Sequence, residues 1–320
     1  MATSTAFALA FVSALASASS PLILSRLEMF PAQIAPPEII SDKAPSVLSA
    51  LPLAPVSSPI ASSFEPEFST KIAANSSQAP QSGGQLYVQR LAALQIGKLY
   101  TRLPSDSFAE IWRGAALQPT YQQWRNLLAQ ESKAVSKRGS DRDLAILLGD
   151  SLSLWFPCDR LQSSRIWLNQ GISGDTTWNI LARLPDLAET RPSEIYLMAG
   201  VNDLKMGATD TEIVWNIQRI ITKLQEMHPN ARIIVESILP TRSPRIPNAR
   251  IAGINAQLKA IAQRASASYL DLYAEFVDQD GQILSEYTTD GVHLSAQGYA
   301  TWQSVFQESG SKVAALPISD

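Results

Sequence analysis

Between residues 144 and 272 the chain alternates short apolar segments with longer amphipathic ones, and this alternation limits the fold more than any other feature. Amphipathic helices are predicted at 210–227, behind an N-cap at Thr209 or Asp210, and at about 250–265. Strands alternating with helices form a parallel sheet that is covered on both faces. The sequence therefore predicts an α/β fold with about five parallel strands. The strand candidates are 144–148, 165–169, 194–199, 231–238 and 268–272.

The chain before this alternation differs in composition. Nine of the 20 prolines fall between residues 31 and 80, mixed with Ala and Ser and with few charges, which predicts a disordered linker over 26–84. Amphipathic stretches then predict a helical segment over 85–142, ahead of a catalytic domain at 143–312. An apolar segment occupies 1–25 and a short tail occupies 313–320.

A serine lies where the first predicted strand passes into a helix, which is where open α/β sheets bind their ligands. Ser151 needs a base within hydrogen-bond reach, and the chain has only two histidines. His228 precedes Pro229 at the predicted end of a helix, so we interpret it as a cation that caps the helix dipole. His293 follows Asp290 by three residues in a loop, a spacing that lets the carboxylate orient the imidazole. Alone, this loop segment is equally well explained as solvated polar residues.

Two further segments are suited to stabilise an oxyanion, which requires preorganised hydrogen-bond donors. The first, 169–177, follows a predicted strand and contains Gly171 and Gly174, which allow close approach of the backbone to a ligand. The second, 200–203, ends another predicted strand with Asn202, whose amide is a donor. Taken singly, each segment is an ordinary turn.

In chain order, these segments resemble the four motif blocks of the SGNH, or GDSL, hydrolase family. The blocks are Gly149-Asp150-Ser151-Leu152-Ser153, Asn169-Gln170-Gly171-Ile172-Ser173-Gly174-Asp175, Gly200-Val201-Asn202-Asp203 and Asp290-Gly291-Val292-His293. The resemblance implies a three-layer α/β/α fold of flavodoxin-like topology. It also implies an ester hydrolase that needs no cofactor.

The resemblance further implies a role for each matching residue. Ser151 is the expected nucleophile, with His293 as general base and Asp290 as its orienting partner. The expected oxyanion donors are the backbone N–H groups of Ser151 and Gly174 and the side chain of Asn202. The residues expected to support the loops are Asp150, Gly171 and Asp203.

The substrate class stays open at this point. The wording of the second block is most similar to the platelet-activating-factor acetylhydrolase-like branch, which favours a lysophospholipid or a short-chain ester. A carbohydrate O-acetylesterase and an O-acyltransferase using the same serine are the alternatives, because fold and triad do not choose between them. A noncatalytic binding module would require a vestigial triad. Trp155 and Trp178 are candidates for the wall of an acyl pocket.

Composition and the N-terminus bear on partners and location. Acidic and basic residues are interspersed with a net charge of −3, so nucleic acid is not an expected partner. The single cysteine, Cys158, excludes an internal disulfide, and no Cys/His cluster predicts a metal. The apolar residues 6–25, followed by Ser and Pro, predict export to the cell envelope or secretion; the alternatives are an uncleaved membrane anchor and a cytosolic protein with an apolar tail.

Overall fold

The computed structural model describes residues 79–137, 143–161 and 164–314. The predicted apolar segment 1–25 lies outside the described residues, as do nearly all of the predicted linker 26–84 and of the tail 313–320. Within the described part of the chain, every helix is too short or too polar to cross a bilayer.

Five strands form one parallel sheet in the order β2-β1-β3-β4-β5, which is the flavodoxin-like order. All five predicted strands are present, most of them slightly shorter than predicted, because the sequence pattern of a strand continues into the adjoining loop. The register places Gly149 opposite Gly171 and opposite Met198, so the carboxyl ends of three strands meet at one edge. The strands are β1 (Leu144–Gly149), β2 (Ile166–Gly171), β3 (Glu194–Met198), β4 (Arg232–Glu236) and β5 (Ser268–Leu270).

Helices cover both faces of the sheet, and the alternation of side chains along β1 separates the two layers. Leu144, Ile146 and Leu148 pack into one apolar cluster, with residues of α5, α7 and α8. Ala145 and Leu147 pack into the other, with residues of α4 and α10. The predicted three-layer α/β/α architecture is confirmed. The helices are α1 (Gly83–Gln95), α2 (Ala109–Trp112), α3 (Tyr121–Ser136), α4 (Ser151–Leu154), α5 (Thr177–Arg183), α6 (Val201–Lys205), α7 (Asp210–Met227), α8 (Asn248–Arg264), α9 (Tyr273–Phe276) and α10 (Ala296–Ala314).

The helix α7 shows how local sequence sets an element boundary. Its bounds match the predicted range 210–227. The Thr209 hydroxyl accepts a hydrogen bond from the Glu212 N–H, and the Glu212 carboxylate accepts one from the Thr209 N–H at 2.8 Å. This capping box satisfies two otherwise unpaired backbone donors, which is why the helix begins at Asp210.

The helices before β1 pack together at the carboxyl end of the edge strand β2. Leu86 of α1 and Leu127 and Leu128 of α3 share an apolar cluster with Leu154, which follows the first motif segment, and Ile172, which lies within the second. Burying a leucine side chain contributes roughly 1.5–3 kcal/mol. The segment from residue 83 onward is therefore joined to the sheet through the elements that carry the site.

Candidate active site

The serine lies at the first position of α4, directly beyond the carboxyl end of β1. Asp150 caps this helix, because its Oδ1 accepts a hydrogen bond from the Leu152 N–H at 2.9 Å. Ser151 is only 7% exposed. The strand-to-helix turn thus fixes the hydroxyl at the edge of the sheet, where the sequence predicted it.

The histidine and aspartate lie in the loop before α10 and reach the serine from across the site. The Nδ1 atom of His293 is 2.7 Å from Oδ2 of Asp290, and its Nε2 atom is 3.2 Å from Oγ of Ser151. When Nδ1 carries the proton it donates to the carboxylate, which leaves Nε2 free to accept from the hydroxyl. The structure therefore brings the three predicted residues into one hydrogen-bonded chain.

The Asp290 carboxylate is held charged by its own loop. Partial burial raises its pKa, but hydrogen bonds from the His293 ring and from the backbone N–H groups of His293 and Val292 outweigh this and hold it at about 2. The side chains of His293 and Asp290 are 47% and 54% exposed. Solvent therefore reaches the outer half of the chain of hydrogen bonds.

Two of the three predicted oxyanion donors come from neighbouring segments, Gly174 from the turn before α5 and Asn202 from the first turn of α6. Gly174 has a φ of +85°, a conformation that a side chain would strain, in the turn between β2 and α5. The Asn202 amide donates to the carbonyl of Asp175, the residue after Gly174, at 3.0 Å. The same amide nitrogen lies 3.4 Å from the Asp150 carboxylate. The 3.0 Å bond thus anchors one N–H of the Asn202 amide to the loop of Gly174. The 3.4 Å contact holds the other N–H of the same amide only weakly.

Gly171 has a packing role at the end of β2. A Cβ atom at this position would collide with the backbone of Leu154 in α4 and would approach the Asp150 carbonyl oxygen to 2.8 Å. Only glycine lets the second motif segment lie this close to the helix that begins with Ser151.

Asp150 and Asp203 are buried carboxylates beneath the site. Burial raises the pKa of Asp150 to about 7, against the lowering effect of the hydrogen bond from Leu152. Burial also raises the pKa of Asp203, and both the N–H and the hydroxyl of Thr177 donate to its carboxylate. Asp203 thereby connects α6, which contains Asn202, to the start of α5.

One residue that the sequence analysis did not single out is central to this arrangement. Arg183, at the end of α5, is buried and donates to the Asp175 carboxylate at 2.7 Å and to the carbonyls of Gly149 and Gln170 at 3.0 and 2.7 Å. It joins the ends of β1 and β2 to the loop of Gly174. Its position three residues after Ile180, on the buried face of a short helix, is the sequence signal that could have identified it.

The interpretation of His228 is partly wrong. Its backbone N–H closes α7 by donating to the Leu224 carbonyl, as expected of a helix terminus. Its side chain, however, is buried, and burial lowers its pKa and favours the neutral imidazole. His228 is therefore not a cation that offsets the helix dipole. Among the described residues, no three His, Cys, Asp or Glu side chains lie together as a metal site.

A flavodoxin-like sheet with a serine, a histidine and an aspartate hydrogen-bonded at its carboxyl edge is typical of three-layer hydrolases. The model of the GDSL-like lipase/acylhydrolase family matches residues 106–301, and the chain belongs to that family. It is a hydrolase that acts on esters.

Two curated relatives and one solved structure illustrate the similarity. Platelet-activating factor acetylhydrolase IB subunit alpha1 of Homo sapiens is 32% identical over 162 residues, 48% of this chain and 69% of that protein. Subunit alpha2 of Gallus gallus is 30% identical over 186 residues, 54% of this chain and 78% of that protein. A GDSL-like lipase structure from Bacteroides thetaiotaomicron, 20% identical, covers 59% of this chain and 98% of its own with a TM-score of 0.51.

Proposed function

We propose that the protein is a serine esterase that cleaves carboxylic esters through an acyl-enzyme on Ser151. The observation that carries the proposal is the chain of hydrogen bonds from Ser151 Oγ through His293 to Asp290, at 3.2 and 2.7 Å. Serine is a weak nucleophile until a neighbouring base removes its proton, and the base works best when a third group fixes its tautomer.

The proposed reaction proceeds in two half-reactions. Ser151 Oγ bonds to the ester carbonyl carbon while His293 takes the hydroxyl proton, and the carbonyl electrons move onto oxygen. The tetrahedral intermediate collapses, its bond to the alcohol oxygen breaks, and His293 returns the proton to that oxygen. Water then repeats the sequence and releases the acid, with Ser151 restored.

Three donors are proposed for the oxyanion: the N–H groups of Ser151 and Gly174 and the Asn202 amide. The loops of Gly174 and Asn202 are tied together through Asp175, and Ser151 is the first residue of α4, where N–H groups have no partner within the helix. Donors fixed before the reaction stabilise developing charge without reorganisation.

The acyl group of the substrate is proposed to be short and to bind beside Leu152 and Val292. These residues, which flank Ser151 and His293, line with Val201 a cavity of about 10 Å³. A cavity of that size holds about one water molecule, which leaves little room for a long acyl chain. The relatives' printed name, acetylhydrolase, also favours a short acyl group. Of the candidate substrates, short-chain esters and carbohydrate O-acetyl esters fit this cavity, whereas a lysophospholipid, whose ester carries a long acyl chain, does not.

The test is hydrolysis of a p-nitrophenyl ester series from acetate to palmitate by the full chain. We expect activity on the short esters, with turnover lower by about 10⁴-fold or more in Ser151→Ala and in His293→Ala. Ser153→Ala, on the same helix, is the matched control and should keep its activity. A fluorophosphonate that labels Ser151→Ala as well as the wild type would contradict the nucleophile assignment.

Other outcomes of this test separate the alternative functions. Ester cleavage that proceeds only with an added acceptor alcohol would favour an O-acyltransferase. A folded protein that neither cleaves esters nor reacts with the fluorophosphonate would favour a binding module.

Export and membrane association through residues 6–25 are a separate proposal that rests on the sequence. N-terminal sequencing of the protein from fractionated cells tests it. An intact N-terminus in the soluble cytosolic fraction would overturn both export and anchoring.

A further inference from the structure

A second, larger cavity of about 300 Å³ lies where the segment before residue 106 meets α4 and α10. Its volume is at the lower end of the range for ligand pockets. Part of its wall precedes residue 106, where the family match begins, and is therefore a feature of this chain rather than of the matched segment. The lining residues that matter here are Leu86, Gln89 and Tyr100 from that segment, with Leu154, Trp155 and Ala296.

Two residues of the cavity wall, Trp155 and Ala296, closely follow Ser151 and His293 in the chain. Trp155 follows Ser151 by one helical turn, and its N–H donates to the Ser151 carbonyl at 3.0 Å. Ala296 follows His293 by three residues and begins α10. Since one helical turn advances about 5.4 Å, the wall at Trp155 begins about one turn from Ser151, and a substrate chain longer than that turn could reach it.

The chemistry of the proposed reaction decides which part of an ester lies on this side. The carbonyl oxygen must point to the donors on the loops of Gly174 and Asn202. The alcohol oxygen must lie near His293 Nε2, which returns the proton to it. The cavity beside Leu152 is too small for a chain, whereas the cavity beside Ala296 has room for one.

We infer that this cavity, walled on one side by residues before 106, binds the apolar chain of the leaving alcohol. The inference rests on the proposed esterase function. It makes the substrate an ester of a short acid with a longer, apolar alcohol, and it makes Leu86 a residue that determines specificity.

Apolar side chains supply much of the lining, and polar and charged side chains supply the rest. Leu86, Leu154, Trp155 and Phe156 provide apolar surface, and the charged Asp159 and Arg160 also line the cavity. The Gln89 amide already donates to the carbonyls of Ser105 and Ser107, at 2.7 and 3.3 Å. It therefore holds the wall in place and adds little polarity to the interior.

Buried contacts fix the wall relative to the nucleophile. Arg90 of α1 is fully buried, pairs with Glu131 of α3 at 2.5 Å and donates to the Asn169 carbonyl at 2.7 Å. The Asn169 amide in turn donates to the Ser153 carbonyl in α4 at 2.7 Å. The cavity is thus formed before a ligand arrives, as is usual for specific pockets.

Two ester series with the full chain test the inference. In the first, alkyl acetates from ethyl to octyl vary only the alcohol; in the second, ethyl esters from acetate to octanoate vary only the acid. Simple alkoxides are similar leaving groups, so kcat/KM along the first series reports binding of the chain. We expect kcat/KM to rise about threefold to fourfold per methylene until the cavity is full.

Leu86 supplies the variants. Leu86→Trp fills the cavity and should lower the octyl-to-ethyl ratio of kcat/KM about tenfold or more, whereas Leu86→Ala should move the plateau to longer alcohols. Leu91→Trp, the same change on α1 outside the lining, should leave the ratio unchanged. Thermal unfolding checks that each variant folds, and Leu86→Ala carries the test if the tryptophan variant does not.

The remaining outcomes distinguish a failure of this inference from a failure of the proposed function. Ester hydrolysis with an alcohol-length ratio that no Leu86 variant changes would overturn the inference and leave the esterase function standing. A Leu86 variant that changes how kcat/KM depends on the length of the acid, and not on the length of the alcohol, would also overturn the inference. Failure of the wild type to hydrolyse any ester would contradict the proposed function itself.

Discussion

The serine side and the histidine side of the site are built differently. Ser151 is 7% exposed and stands on buried polar contacts, among them the Asp150 cap and the Arg183–Asp175 pair. Asp290 and His293 are about half exposed, and their arrangement depends on hydrogen bonds within their own loop, where two backbone N–H groups donate to Asp290. The core therefore positions the proposed nucleophile, while a short loop positions the proposed base.

We therefore expect substitutions on the serine side to lower mainly stability and substitutions in the histidine loop to lower mainly activity. Removing a buried polar contact leaves unpaired groups in the core and costs free energy of unfolding. Changing an exposed loop carboxylate costs little stability but alters the imidazole that it orients.

The largest effect is expected for Asp290→Asn. An amide at this position no longer enforces the tautomer in which Nδ1 carries the proton, so kcat for p-nitrophenyl acetate should fall about 10⁴-fold. The free energy of unfolding in urea should fall by no more than about 1 kcal/mol, because solvent screens the half-exposed Asp290–His293 pair and the amide oxygen can still accept the backbone hydrogen bonds. Asp280→Asn, at another exposed carboxylate, should change neither. A loss of activity below tenfold would mean that Asp290 does not orient His293.

On the serine side, Arg183→Met should lower the free energy of unfolding by about 3–5 kcal/mol, because it leaves the buried Asp175 carboxylate without its cation. Arg250→Met provides the contrast, since the pair of Arg250 with Asp210 is 36% and 39% exposed and should contribute less than about 1 kcal/mol. Urea unfolding measures both. Equal losses in the two variants would contradict the view that the core holds this side.

Asn202→Ala should affect turnover more than stability. Losing one oxyanion donor should reduce kcat about 10²- to 10³-fold, with a smaller change in KM. Asn255→Ala removes a buried amide that bonds the N–H and carbonyl of Ile238, so it should lower stability and leave kcat in place. Equal kcat values in the two variants would remove Asn202 from the proposed oxyanion site.

The smallest effect on turnover is expected for a buried carboxyl group, whose protonation makes stability depend on pH. Burial raises the pKa of Glu236 from its ordinary 4.5 to about 8, although the Trp302 N–H donates to it. Between those values the folded state holds more protons than the unfolded state, so stability falls as pH rises toward 8. Glu236→Gln should remove this slope, which is on the order of 3 kcal/mol between pH 5 and pH 8. Parallel curves of unfolding free energy against pH for the wild type and Glu236→Gln would contradict this prediction. Asp290 shifts in the opposite direction, so its contribution is present above about pH 4 and is lost as pH falls toward 2.

Much of the fold was predictable because its signals are local. The apolar segments mark the five strands, and the capping residues of α7 mark its first turn. The motif order suggested Ser151, Asp290 and His293, since in a parallel sheet the carboxyl ends of the strands share one edge. The positive charge assigned to His228 was wrong because burial, which sequence position does not reveal, lowers the pKa of its imidazole.

By itself, the sequence determined the α/β class, the strand and helix positions and the residue types of the site, since these follow from short-range periodicity and from the chemistry of side chains. Only the tertiary structure decided that Arg183 joins two strand ends to the loop of Gly174, and that Arg90 ties α1 to α3 and β2. It also decided that residues before 106 complete a cavity beside Trp155 and Ala296. These contacts join residues far apart in the chain, and they depend on the packing of elements whose relative positions no local pattern specifies.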